Sequence, residues 1–255
     1  MHTKDTIMTN LATFRVHIAP LGFEIDRIVI PLKQTKADKL WILAHDNRSE
    51  DLSRPYLEKI KKECKKLGVE VKVEYSDRLS LFKAIKSIKD IISQEKGNYI
   101  YVNVASGSKI QAIACMMACM ILKECKNLQP FYAEPEKYAA FNGEQQSFGI
   151  RDTIPLPTYE IQIPKPKLLQ ALKIIHQANK QKITKKEMAI IAEEQEIITI
   201  NSEEKNHSQA RFASLDKNII QPLSDEWNFI EVEKIGRNRW IKITEEGINA
   251  AEFLL

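Results

Sequence analysis

The sequence predicts an α/β protein in two parts: a Rossmann-like parallel sheet, then a winged helix-turn-helix. Three observations predict it. Over the first 134 residues, short apolar runs alternate with stretches of helical periodicity, the pattern of a parallel sheet covered on both faces. Pro155, Pro157, Pro164 and Pro166 then fall close together and read as an extended connection. Beyond them, three amphipathic helical segments precede two alternating segments around a turn carrying basic residues, the grammar of a winged helix. The expected boundaries are a sheet domain over 1–154, a linker over 155–166 and a winged helix over 167–255.

Each element has its own local reason. FRVHIA (14–19), KLWILAH (39–45), VEVKVEY (69–75), NYIYVNV (98–104) and LQPFYAE (128–134) read as strands, KLWILAH as a buried one. Between them, EIDRIVIPLKQTK places Ile25, Ile28, Val29 and Leu32 on one helical face. LSRPYLEKIKKECKKLG is a helix closed by Gly68, and DRLSLFKAIKSIKDIISQEKG a long one with Asp77 as its expected N-cap and Gly97 past its end. SKIQAIACMMACMILKEC is the fourth, and its Cys115, Met116, Met117, Cys119 and Met120 stripe reads as helix core, not a metal box. KYAAFNGEQQSFGIRDT is less regular and suggests a terminal hairpin.

After the linker, KLLQALKIIHQANKQ is amphipathic, and ITKKEMAIIAEEQ starts a second helix with Thr184 and Glu187 at capping-box spacing. HSQARFASLDKNIIQ is a third, expected to be interrupted at Pro222. NFIEVEKIGRNRWIKIT gives two strands around Gly236–Arg237–Asn238, and TEEGINAAEFLL a closing helix.

The bulk numbers exclude some classes. Of 255 residues, 44% are apolar, enough for a core, and no apolar run is long enough to span a bilayer. MHTKDTIMTNLATF lacks the apolar segment of a signal peptide. Cys64, Cys115, Cys119 and Cys125 form no CxxC pair, so neither a zinc ribbon nor a redox pair is indicated, and free thiols suit a cytoplasmic protein. The net charge of +4 lies wholly before residue 165, because the remainder carries 14 Lys and Arg against 14 Asp and Glu. DNA binding by the second part must therefore rest on where its charges lie.

In an open parallel sheet, ligands bind outside the carboxyl ends of strands. Three loops leave such ends: APLGFEIDR (19–27), HDNRSE (45–50) and ASGSK (105–109). Gly22 and Gly107 permit close backbone approach, helix N-termini can hold an anion, and Lys109 adds a charge. A P-loop is excluded, because Ser108 stands where glycine must precede the lysine, and no GxGxxG follows the first strand. His17 lies mid-strand and reads as core or dimer surface; His45 ends the second strand, facing the loops.

On the third helix of the winged part, His207, Ser208, Gln209, Arg211, Ser214, Lys217 and Asn218 share the polar face. These are types that read base edges and phosphates in double-stranded DNA. Arg237, Asn238 and Arg239 at the hairpin tip suit a phosphate or minor-groove contact. The competing reading is a winged helix used for dimerisation or protein contact.

APLGFEIDRIV after the first strand and NVASGSK after the fourth, with a Pro-rich linker and a winged helix in that order, resemble the CARF–winged-helix regulators associated with CRISPR systems, mainly archaeal. That family's fourth-strand signature is commonly Asn-x-[ST]-Gly-Gly-[ST]-Lys. Asn103, Gly107, Ser108 and Lys109 match it, while Ala105 replaces a hydroxyl residue and Ser106 a glycine. The resemblance implies a homodimer whose paired loops line one cleft on the two-fold axis and hold a cyclic oligoadenylate. By the same resemblance, Lys109 and the Ser106–Lys109 amides would hold phosphates. Asn103 belongs to the matching signature, and Gly22, Phe23 and Glu24 would approach ribose or base, Phe23 stacking on adenine. Ligand binding would reorient the paired winged helices.

Some members of that family cleave their own ligand, the ribose 2′-hydroxyl attacking the adjacent phosphate. Ser106, Ser108 and Lys109 could assist, but no histidine is placed as a base, so no catalytic residue, cofactor or metal is assigned. The reading is a ligand-responsive transcriptional regulator. A ring nuclease, or a winged-helix regulator answering another nucleotide, stands as the alternative.

Overall fold

The computed structural model describes residues 12–47, 49, 51–138, 145–200 and 206–255. The chain divides into two units, one ending at Ile161 and one beginning at Gln162. The expected signal-peptide-free N-terminus lies mostly outside the described residues, as do Arg48 and Glu50 of the HDNRSE loop.

In the first unit, β1 (Arg15–Pro20), α1 (Asp26–Thr35), β2 (Lys39–His45), α2 (Arg54–Leu67), β3 (Glu70–Ser76), α3 (Leu81–Gln94), β4 (Tyr99–Asn103), α4 (Lys109–Ile121) and β5 (Leu128–Glu134) alternate as the periodicity predicts. β6 (Lys137–Tyr138), β7 (Ser147–Phe148) and β8 (Asp152–Pro155) follow. The main sheet has the order β3-β2-β1-β4-β5-β8. Its first five strands pair in parallel, and β8 adds an antiparallel edge to β5. Val16, Ile18, Leu40, Ile42, Ile100 and Val102 are fully buried within it, because helices on both faces leave no polar side for these strands. The chain builds outward from β1 to β3, then crosses back to lay β4 beside β1. The direction of growth therefore reverses between β1 and β4, where open sheets form their binding crevice.

Two details differ from the expectation. Ser80, not Asp77, caps α3: its side chain accepts from the Lys83 amide, while Asp77 accepts from the Leu79 amide within the preceding turn. The C-terminal irregular piece is in part the expected hairpin: β6 pairs with β7, and residues 139–144 between them lie outside the described set. Its end instead becomes the sheet edge β8.

The second unit comprises α5 (Pro166–Gln177), β9 (Lys182–Thr184), α6 (Lys185–Glu194), α7 (His207–Leu215), β10 (Ile230–Ile235), β11 (Asn238–Ile243) and α8 (Glu245–Leu254). It is a winged helix with a three-stranded sheet in the order β10-β11-β9. Leu172, Ile175, Met188, Leu215 and Ile241 are fully buried at its centre. The Thr184–Glu187 capping box forms as the spacing predicts. β9 is the element periodicity missed, since three residues are too few to show alternation. Pro222 does not interrupt the third helix. The chain passes through it in wide π-helical turns over Asp216–Ile220 and Pro222–Glu226, which accommodate a residue without an amide hydrogen. Among the described residues, no helix is long and apolar enough to cross a membrane.

Candidate ligand loops and nucleic-acid interface

Because β1 and β4 pair in parallel, with Ile18 opposite Val102, the loops at their carboxyl ends emerge side by side. Backbone meets backbone there. A Cβ on Gly22 would stand 2.8 Å from the Gly107 nitrogen, and one on Gly107 would stand 2.3 Å from Pro20 Cβ. Gly107 also takes φ +76, a left-handed conformation that side chains disfavour. The two glycines singled out in the sequence thus let the two loops touch.

Asn103 and Ser106 hold that contact from within. The Asn103 side-chain amide donates to the Arg27 carbonyl at 2.7 Å, and its oxygen accepts from the Ala105 amide at 2.8 Å. The Ser106 hydroxyl donates to the Pro20 carbonyl at 2.8 Å. Both side chains are buried, so they shape the loops rather than face solvent. Ser108 caps α4: its hydroxyl accepts from the Gln111 amide, and Gln111 Oε1 accepts from the Ser108 amide at 3.0 Å. Gln111 was not singled out as a site residue, although Ser-x-x-Gln before an apolar run is a visible capping signal. The amides of Lys109 and Ile110 occupy the first helical turn, where no intrahelical acceptor exists. The Lys109 side chain is exposed and pairs with no described acidic group. Here the loop offers an anion amides and a cation together.

The β1 loop offers less than expected. Gln145 Oε1 accepts from the amides of Ile25 and Asp26, at 3.0 and 3.1 Å. The N-terminus of α1 is therefore capped internally, and the expectation that both helices present open amides holds only for α4. Glu24 is buried; its carboxylate accepts from the Ser147 hydroxyl at 2.6 Å and lies 3.8 Å from the Arg27 guanidinium. Burial pushes its carboxyl above the usual range, against the opposing pull of Ser147 and Arg27. Phe23 is half-buried with its ring edge-on to Tyr56 at 5.5 Å between centroids. Gly22 thus meets the other loop through its backbone, while the side chains of Phe23 and Glu24 are engaged within the domain. Gln145 and Ser147 were not foreseen, because nothing local marks a residue that caps a helix some 120 positions earlier.

His17 is core: it is 2% exposed, its Nε2 is 2.8 Å from Thr35 Oγ1, and its ring packs on Tyr101 and Phe131. Burial drives its pKa down to about 3. Cys115 and Cys119 are buried along α4 and their thiols are pushed up by burial, Cys119 to about 12. They are inert core, as the sequence suggests.

In the winged helix, Ser208, Gln209 and Lys217 are exposed on the third helix. Arg211 is not free. Its Nε lies 2.6 Å from Glu193 Oε2, and the other carboxylate oxygen lies 2.9 Å from His207 Nε2. Ser214 donates to the Thr199 carbonyl and accepts from Asn218. At the hairpin tip, Arg237, Asn238 and Arg239 are all exposed. Arg239 stands directly opposite Lys234 across the β10–β11 ladder. Like charges so placed repel unless an anion lies between them. Lys234 escaped the sequence reading because only the strand register brings it there.

Residues 15–138 match the family described as HFX_2341_N:-like, N-terminal, and residues 167–254 match the DUF6293 C-terminal winged helix domain. Over 206 residues the chain is 29% identical to the MJ1513 protein of Methanocaldococcus jannaschii, covering 71% of this chain and 61% of that one. Among solved structures, Can2 of Sulfobacillus thermosulfidooxidans in complex with cyclic tetra-adenylate aligns at 13% identity over 93% of this chain and 63% of its own, TM-score 0.41. Csm6 of Enterococcus italicus, bound to cyclic hexa-2′-fluoro-hexa-dAMP, aligns at 11% identity over 50% of this chain and 35% of its own, also at TM-score 0.41. The chain thus spans less than two thirds of the length of each of these relatives.

Proposed function

We propose that this chain, a CARF-like domain followed by a winged-helix domain, is a ligand-responsive DNA-binding regulator that works as a homodimer and senses a cyclic oligoadenylate. The observation that carries the reading is the backbone contact of Gly22 with Gly107 at the reversal of strand order, with Lys109 exposed beside it. A site made of two touching loops, one lysine and the first amides of one helix is small. It is too sparse for a triphosphate but suits one face of a ring, and a two-fold axis would repeat it on a ligand with repeating phosphates.

In this reading, Gly107, Lys109 and the α4 amides bind phosphate, Asn103 and Ser106 set the loop shape, and Gln145 and Ser147 brace the β1 loop from behind. Ser208, Gln209 and Lys217 face duplex DNA from the third helix, and Lys234, Arg237, Asn238 and Arg239 grip its backbone from the wing. Arg211 orders the helix that carries them. A cytoplasmic location follows from the proposed ligand and DNA.

The test is incubation of the protein with labelled cyclic tetra-adenylate, followed by filter retention and separation of products, alongside titration of duplex DNA with and without the ring. Retention of intact ring and a ring-dependent change in DNA affinity are expected. Linear product would favour a ring nuclease, and neither retention nor product would remove this ligand.

A further inference from the structure

A second cluster lies at the carboxyl ends of β2 and β3, outside the loops described above. His45 stands opposite Ser76 in the parallel register of these strands, and Asp46 and Asp77 follow each of them in sequence. A ring nitrogen of His45 and one carboxylate oxygen each of Asp46 and Asp77 lie within 4.8 Å of one another. Acidic groups gather on many surfaces, and alone these would mean little. The imidazole makes the difference. His45 is 8% exposed, and among the described residues its buried Nδ1 has no hydrogen-bond partner. That nitrogen is 3.0 Å from Asp46 Oδ1, in contact but off the angle a hydrogen bond requires. The hydroxyl of Ser76, its register partner, is also buried and without a hydrogen-bond partner among the described residues.

A buried polar atom left without a partner is destabilising. Two at paired register positions, bordered by two carboxylates, gather lone pairs that a cation would take up. Each carboxylate has capacity to spare. Asp46 Oδ1 accepts from the Asn47 amide and Asp77 Oδ1 from the Leu79 amide, both on the flanks, and Asp77 Oδ2 lies 3.8 Å from Lys83 Nζ.

We propose that His45, Asp46 and Asp77 bind a divalent transition-metal ion. One imidazole nitrogen with two carboxylates is a borderline donor set, suited to Zn²⁺, Mn²⁺, Co²⁺ or Fe²⁺ rather than to Ca²⁺ or Mg²⁺, which favour oxygen alone. Three protein ligands leave coordination positions for water or for an oxygen of a bound molecule. The site opens on the same sheet edge as the β1 loop, whose Leu21 amide donates to the Leu43 carbonyl of β2 at 2.8 Å. The ion would tie the end of β2 to the end of β3 and add positive charge to the edge that carries the proposed anion site.

Cobalt is the probe, because Co²⁺ reports its ligands by visible absorption. Full-length protein stripped with chelator is titrated with CoCl₂, then with ZnCl₂ in competition. One Co²⁺ per chain with d–d bands, displaced by Zn²⁺, is expected. His45→Gln and Asp77→Asn should each abolish the bands while the far-ultraviolet circular dichroism is unchanged. If His45→Gln does not fold, Asp77→Asn decides. Absence of cobalt binding to the parent, or retention of one Co²⁺ by a folded variant, would overturn the site. Cyclic oligoadenylate retention is measured separately, so failure here leaves the regulator reading intact.

Discussion

The Ser106 hydroxyl donates to the Pro20 carbonyl at 2.8 Å, joining the loops of β4 and β1 across 86 positions of sequence. The same position is commonly glycine in the family the sequence resembles. A serine here replaces backbone freedom with a strap. Ser106→Ala should cost about 1 kcal/mol of stability, the net worth of a buried hydrogen bond. Gly107→Ala should cost more, because its Cβ meets Pro20 and its φ is left-handed. Chemical denaturation of both variants checks the order.

Lys109 tests the anion site directly. It is exposed and pairs with no described acid, so Lys109→Ala should leave the unfolding midpoint unchanged. Loss of a charge-assisted contact of ~1.5–3 kcal/mol should weaken cyclic tetra-adenylate binding by roughly ten- to a hundredfold. Equal affinity in calorimetry would move the phosphate site elsewhere.

Arg211 and the wing arginines should behave differently. Arg211 is held by Glu193, so Arg211→Ala should lower the stability of the winged domain by about 1 kcal/mol and barely alter the salt dependence of DNA binding. Arg237 and Arg239 are exposed. Replacing both with alanine should leave stability intact and reduce the slope of log affinity against log salt by about 2, near 0.9 for each lost phosphate contact. Fluorescence anisotropy on a mixed-sequence duplex at several salt concentrations distinguishes the two.

His17 predicts a pH dependence of folding. Its pKa falls from 6.5 to about 3 on burial. Between those values the unfolded chain binds a proton that the folded chain does not, so stability is full above pH 6.5 and declines as pH falls. From pH 8 to pH 5 the loss from this group is about 2 kcal/mol. His17→Gln, which can keep a hydrogen bond to Thr35, should remove that part of the acid sensitivity. Parallel slopes for parent and variant would show that another group carries it.

How much of this was legible in advance depends on range. The five parallel strands, the four helices between them and the Thr184–Glu187 cap are written in residues two to four positions apart. Periodicity and capping act over that distance. The same local grammar marked Gly22, Gly107 and Lys109, because a strand, a small-residue turn and a helix are contiguous. It failed at β9, too short to alternate, and at Pro222, where wide turns absorb the missing amide.

What the sequence by itself determined, then, was two domains, their elements and the two loops worth watching. The tertiary structure decided which groups remain available there. Gln145 closes the N-terminus of α1, Ser147 engages Glu24, and Glu193 occupies Arg211. Lys234 joins Arg239, and His45 meets Asp77. Each pairing depends on which strands and helices lie side by side. That neighbourhood is set by burying apolar faces across the whole domain, a cooperative choice that no short stretch of chain encodes.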